Sequence, residues 1–148
     1  MSRLMKMGAA LLLGGTTYAF ALTADEVKSH VLEGKAYCDK VGVAKCVEEI
    51  GKKGGMFDKG DLYIWANDFE GVITAHPKKP IAGKNLYRYK DRAGNQLFKN
   101  FIEKVKADGQ GWVDYVWAHP TTGKQTPKSS FVIGIGENQL IGAGYYKQ

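Results

Sequence analysis

At 148 residues, with 21 Lys and Arg against 15 Asp and Glu, the chain is of single-domain size with a mild positive excess of +6. Its 44% hydrophobic content is enough to bury one core without a metal centre or a lattice of disulfides. The basic residues are mostly Lys and are scattered, unlike the clustered Arg and Lys face of a nucleic-acid binder.

Residues 1–21 read as a signal peptide. Arg3 and Lys6 supply a positive start, Met7 to Gly15 an apolar stretch, and Ala19-Phe20-Ala21 a small-x-small cleavage site. The apolar stretch is nine residues, against roughly 20 for a membrane span. The expectation is an exported, periplasmic or secreted protein whose mature part, residues 22–148, is one domain. Without Arg3 and Lys6 it has 19 basic and 15 acidic groups, net +4, read as a mild attraction for anions or a solvated surface.

Thr23-Ala24-Asp25-Glu26 has the form of a capped helix start, because Thr23 can cap and Glu26 can reach back to it. A helix is expected from about 24 to 40 and a shorter one from about 43 to 51. Cys38 and Cys46, an even pair at short range in an oxidising compartment, favour one disulfide across the bend between them. No further Cys or nearby His completes a tetrahedral set, so neither a metal nor a cofactor is expected. Gly54, Gly55 and Gly60 mark a loop leading to the first strands.

Leu62 to Ala66 and Val72 to Thr74 are aromatic and β-branched, and Asn67 to Gly71 supplies turn chemistry between them, so a hairpin is expected from Asp61 to His76. Pro77 and Pro80 stop its second strand. Residues 81–94 form a polar, basic excursion, long enough to suggest a binding loop. Leu97, Phe98, Phe101, Ile102 and Val105 recur at helical spacing, with Asn95 as cap and Gly109 as stop. Trp112 to Trp117, Ser130 to Ile135 and Leu140 to Tyr146 are three further strands, with a tight turn at Gly136-Glu137-Asn138. This order implies an α+β domain, an antiparallel sheet with its helices on one side.

For chemistry, the chain has three histidines, His30, His76 and His119, and no Gly-x-Ser-x-Gly elbow, His-Glu-x-x-His pair or phosphate loop. No nucleophile with its base is specified, so the expectation is not an enzyme. A pocket is better supported. Val113, Tyr115 and Trp117 share one strand face, Lys128 and Ser130 another, and Val72, Thr74 and His76 a third. Aromatic walls with one or two placed polar groups suit a small solute. The same residues also have plainer readings: Tyr115 and Trp117 as core, His76 as a turn residue, Lys128, Arg88 and Lys90 as surface charges.

Taken together, Asp61-Leu62-Tyr63-Ile64-Trp65, Ala75-His76-Pro77, Gly83-Lys84-Asn85-Leu86, Gly111 to Trp117 and Pro127 to Phe131 resemble the extracytoplasmic single Cache domain, a PAS-like sensor module of bacterial chemoreceptors and sensor kinases. The resemblance implies a long N-terminal helix, a central five-stranded antiparallel sheet with one helix between strands 2 and 3, and a ligand held between sheet and long loop. It further implies a small organic anion, such as a short carboxylate, as ligand. Trp65, Tyr115 and Trp117 would shape the walls; Lys128, His76 and Tyr89 would orient the anion, with Ser130 beside them. A homodimer through the long helices fits the family, although no heptad seam compels it. The chain ends at Gln148, just after the last strand, so a stand-alone member is expected that acts with a membrane-bound chemoreceptor or sensor kinase. The competing expectation is a non-catalytic interaction module with a vestigial pocket that docks a partner protein.

Overall fold

The computed structural model describes residues 21–147, so all but the last residue of the expected signal peptide lies outside the described residues. Helix α1 runs Ala24–Val41 and α2 runs Val43–Ile50. Thr23 and Glu26 close a reciprocal capping box at the start of α1, as the sequence pattern predicts. The buried face of α1 carries Val27, His30, Val31, Gly34 and Cys38, the recurrence a 3.6-residue period requires. Gly34 lets the helix lie against the sheet: a Cβ there would meet the Ile64 Cδ1 at 2.7 Å. Cys38 and Cys46 are bonded, and the disulfide ties the end of α1 to α2.

The strands are β1 (Asp58–Lys59), β2 (Leu62–Tyr63), β3 (Trp65–Asp68), β4 (Ile73–Ala75), β5 (Gln110–Ala118), β6 (Gln125–Ile135) and β7 (Gln139–Tyr146). The pair β1–β2 stands apart, and the main sheet has the order β4-β3-β7-β6-β5 with every pairing antiparallel. Helix α3, Leu97–Asp108, connects β4 to β5 after the long loop. The five-stranded α+β sheet with one helix between the two halves is as expected.

Several local expectations are corrected. Leu62 to Ala66 is not one strand: β2 turns back onto β1, and β3 begins only at Trp65. Asn67 and Asp68, expected in the turn, belong to β3. The Asn67 carbonyl oxygen accepts from the Trp65 indole at 2.9 Å, so a buried polar side chain is satisfied within the strand. Asn95 does not cap α3; its amide groups are instead bound by Asp91, and Gln96 precedes the helix without a side-chain cap. Strand β6 starts at Gln125, earlier than Ser130. Pro127 fits there because the partner strand has already run out: its carbonyl accepts from Lys147, beyond the end of β7.

The helices do not share one side. Side-chain alternation along the strands builds two cores. One contains Ile64, Ala66, Phe131, Ile133, Ile141 and Ala143 under α1 and α2. The other contains Trp65, Tyr115, Trp117, Val132 and Leu140 under α3 and the long loop. Each fully buried aliphatic or aromatic side chain contributes about 1.5–3 kcal/mol. The loop is ordered rather than slack. Backbone bonds from Ile73, Gly83 and Leu86 dock it on the free edge of β4, where unpaired strand groups would otherwise lie open.

Candidate functional site

Strand alternation aims Lys128 of β6 into the second core, where its side chain is 1% exposed. No acidic side chain pairs with it among the described residues; its Nζ donates to the Tyr63 hydroxyl at 3.1 Å. Four aromatic rings surround the ammonium: Tyr63 at 4.5 Å to the centroid, Tyr146 at 4.9 Å, Trp65 at 5.8 Å and Tyr115 at 6.0 Å. Burial works against the charge and the neighbouring Tyr115, Tyr63 and Tyr146 phenols work for it, which leaves the pKa above the ordinary lysine value. A desolvated ammonium held by ring faces and one hydroxyl retains the capacity to bind an anion.

The sheet is shaped to admit this side chain. Lys128 and Tyr146 are cross-strand partners, and Gly144 lies beside them. A Cβ on Gly144 would come within 2.9 Å of the Lys128 Cε and closer still to Ser130. Tyr115 closes one flank by a 2.7 Å hydrogen bond between its hydroxyl and the Ser130 Oγ, and burial pushes the phenol pKa up. From α3, Leu97, Phe98 and Phe101 roof the site.

His76 borders the same space. Its Nδ1 accepts from the backbone N–H groups of Lys78 and Lys79 at 3.1 and 3.0 Å, which leaves the proton of the neutral ring on Nε2. Burial, then the positive charges of Lys128 and Lys79, push its pKa down to about 3. At neutral pH His76 is therefore an uncharged donor. Its ring packs against Tyr63 at 5.3 Å and Trp117 at 6.3 Å.

Of the expected site residues, Trp65, His76, Tyr115, Trp117 and Lys128 line one cavity. Ser130 stands behind Tyr115. Tyr89 does not reach the cavity: it is 39% exposed and meets Trp117 edge-on at 6.1 Å from outside. Tyr63, Leu97, Phe98 and Phe101 complete the walls, and Tyr146 meets the Lys128 ammonium outside that lining; none of them was among the expected site residues. Tyr146 was legible, because an antiparallel register centred on the turn Gly136–Asn138 places 146 opposite 128. Tyr63 was not, since its approach depends on the small β1–β2 hairpin. The cavity itself is about 10 Å³, room for about one water.

Asp91 holds the loop in place from within. Its buried carboxylate accepts from the backbone N–H groups of Ala93, Asn95 and Val116 and from the Asn95 amide. The Val116 bond fastens the loop to the outer edge of β5. Burial would raise the Asp91 pKa, but these hydrogen bonds prevail and lower it.

A family model described as Cache domain matches residues 17–148. Over 88 residues, 58% of this chain, the sequence is 31% identical to the sensor histidine kinase MctS of Rhizobium johnstonii, 19% of whose length is matched. It is 26% identical over 88 residues to the methyl-accepting chemotaxis protein McpP of Pseudomonas putida, 16% of whose length is matched. The matched span is therefore less than a fifth of either curated relative. Among solved structures, a methyl-accepting chemotaxis protein from Vibrio parahaemolyticus superposes with a TM-score of 0.71 at 27% identity, covering 82% of this chain and 86% of that one. A periplasmic sensor domain of a chemotaxis protein gives 0.66 at 29% identity, covering 82% and 88%. A Cache chemosensory domain described for carboxylic acid recognition gives 0.64 at 27% identity, covering 81% and 86%.

Proposed function

This chain belongs to the Cache domain family, and we propose from that premise that it is an extracytoplasmic sensor unit that captures a small organic anion, a short monocarboxylate, at Lys128. The observation that carries this reading is the buried ammonium without an acidic partner among the described residues. Bringing a carboxylate to it replaces a compensation by ring faces with a charge-assisted hydrogen bond in a dry environment. The neutral Nε2–H of His76 and the Tyr115 hydroxyl are the adjoining donors for the second carboxylate oxygen. Among the described residues no Asp or Glu lines the cavity, so an amino acid would bring its own ammonium towards Lys128 with no carboxylate to receive it. Carboxylates without an amino group are therefore the selected class. The small cavity favours the shortest carboxylates, and even these would need the wall to move outward.

In this reading the ligand is sensed rather than transformed, and the sensed state is passed to a membrane-bound chemoreceptor or sensor kinase. Among the described residues no helix is long and apolar enough to cross a membrane, and an exported location agrees with the periplasmic sensor domain it superposes on. The test is a thermal-shift screen of residues 22–148 against two- to four-carbon carboxylates, amino acids and amines. A ligand at 100 times its Kd stabilises by about 2.7 kcal/mol, several degrees for a domain of this size. A shift confined to short carboxylates supports the proposal. No shift with any of them transfers weight to the interaction-module reading, in which the pocket is vestigial.

A further inference from the structure

We infer that the open cleft beside the buried cavity is an outer anion-binding site that hands small anions inward past Lys79; this rests on the proposed anion ligand of Lys128. The cleft encloses about 420 Å³, and Lys53, Lys78, Lys79, His119 and Thr121 are among the residues on its walls. Tyr63 borders both spaces.

The charges in the cleft are unequally balanced. Lys78 pairs with Asp58 at 2.7 Å. Asp61, also on the wall, accepts from the Thr121 hydroxyl at 3.1 Å and lies 3.8 Å from the His119 Nε2. Neither Lys53 nor Lys79 has an acidic partner among the described residues. Lys79 instead rests on the Trp117 ring, with Nζ 4.8 Å from its centroid, and Trp117 is a wall of the buried cavity. A cation–π contact at a partly exposed site is worth about 0.5–1 kcal/mol, so an incoming anion can draw this ammonium away.

The segment that carries Lys79 is also the wall best able to yield. The buried cavity is lined by residues of β2, β3, β5, β6 and α3, and by His76 alone from outside a helix or strand. The His76 Nδ1 accepts from the backbone N–H groups of Lys78 and Lys79, so the imidazole and this loop segment are held as one unit. An anion that pairs with the Lys79 ammonium in the cleft takes it off the Trp117 ring and so uncovers the outer face of a wall of the buried cavity. The same charge raises the local concentration of anions ahead of that step.

The test compares wild type with Lys79→Met and Lys79→Arg, all in a Trp112→Phe background so that emission comes from Trp65 and Trp117. Iodide, an anionic quencher, is set against neutral acrylamide at fixed low ionic strength. The outer site requires iodide quenching to fall at least threefold in K79M, to be retained in K79R, and acrylamide quenching not to fall. Stopped-flow mixing with acetate should show association at least fivefold slower in K79M, with the difference lost at 0.5 M salt, where screening acts within about 5 Å. Unchanged iodide quenching and unchanged acetate association in K79M would overturn the outer site while leaving Lys128 as the anion's partner. Lys79-dependent iodide quenching with no acetate binding in wild type would uphold the outer site and overturn the buried one.

Discussion

Replacing Lys128 by Met separates binding from folding, because the two depend on its ammonium in opposite ways. A bound carboxylate would make a hydrogen bond to a charged donor, worth about 1.5–3 kcal/mol, so K128M should weaken acetate or propionate binding by about 10- to 150-fold. Folding is nearly indifferent. Burying an ammonium costs several kcal/mol, and in this site the Tyr63 hydroxyl and four ring faces offset most of that. Met fills most of the same volume without a charge, so urea-measured stability should stay within about 2 kcal/mol of wild type. Isothermal titration gives the affinity, and urea melts at the same pH give the fold. Wild-type affinity in K128M would refute the anion role. A loss above about 3 kcal/mol of stability would show instead that the ammonium is chiefly structural. The vacated cage supplies an internal control: in Lys128→Gly, methylammonium should restore stability, because the rings that surround Nζ remain.

His76, at about 3 when folded against an ordinary 6.5, takes up a proton more readily when unfolded. Its contribution to stability is complete above pH 6.5 and falls as pH drops towards 3, by about 2 kcal/mol at pH 5. His30 has the same sign, lowered chiefly by burial. Urea melts from pH 7 to 4 should show this slope, and His76→Asn should remove the larger part of it; an unchanged slope would contradict the neutral ring. Asp91→Asn sets an amide nitrogen against backbone donors and should cost about 1.5–3 kcal/mol at pH 7, with faster tryptic cleavage at Lys90 and Arg92. The Asp91 contribution is present above the ordinary carboxylate pKa and lost as pH falls through its lowered folded value. Reducing the Cys38–Cys46 bond should cost about 2–3 kcal/mol, the chain-entropy value for so short a loop, read as a lower urea midpoint.

Much was already determined by the order of residues. Local rules suffice for the capping box at Thr23, the apolar stripe of α3, the tight turn at Gly136–Asn138 and the alternation that sends Tyr115, Trp117, Lys128 and Ser130 to one face. Each depends on neighbours within a few positions, so pattern and chemistry agree without knowledge of the fold. Where a residue's partner lay far along the chain, the same rules misjudged it. Asn67 looked like turn chemistry until β7 paired with it and Trp65 bonded its side chain. Asn95 looked like a helix cap until Asp91 took both its amides. The placement of α3 opposite α1 follows from which strand face each helix found apolar, a matter of five strands in register.

The candidate site divides along the same line. That Lys128 would face aromatic strand residues could be read from alternation alone. Whether its ammonium would be in water, against a carboxylate or buried among rings could not, since Tyr63 arrives from the β1–β2 hairpin and Phe98 and Phe101 from α3. Only the assembled structure decided that this lysine is desolvated without an acidic neighbour among the described residues, that His76 beside it is neutral, and that Tyr89 stays outside. Charge and ionisation depend on what every packed element brings within a few ångströms, and sequence spacing does not encode that distance.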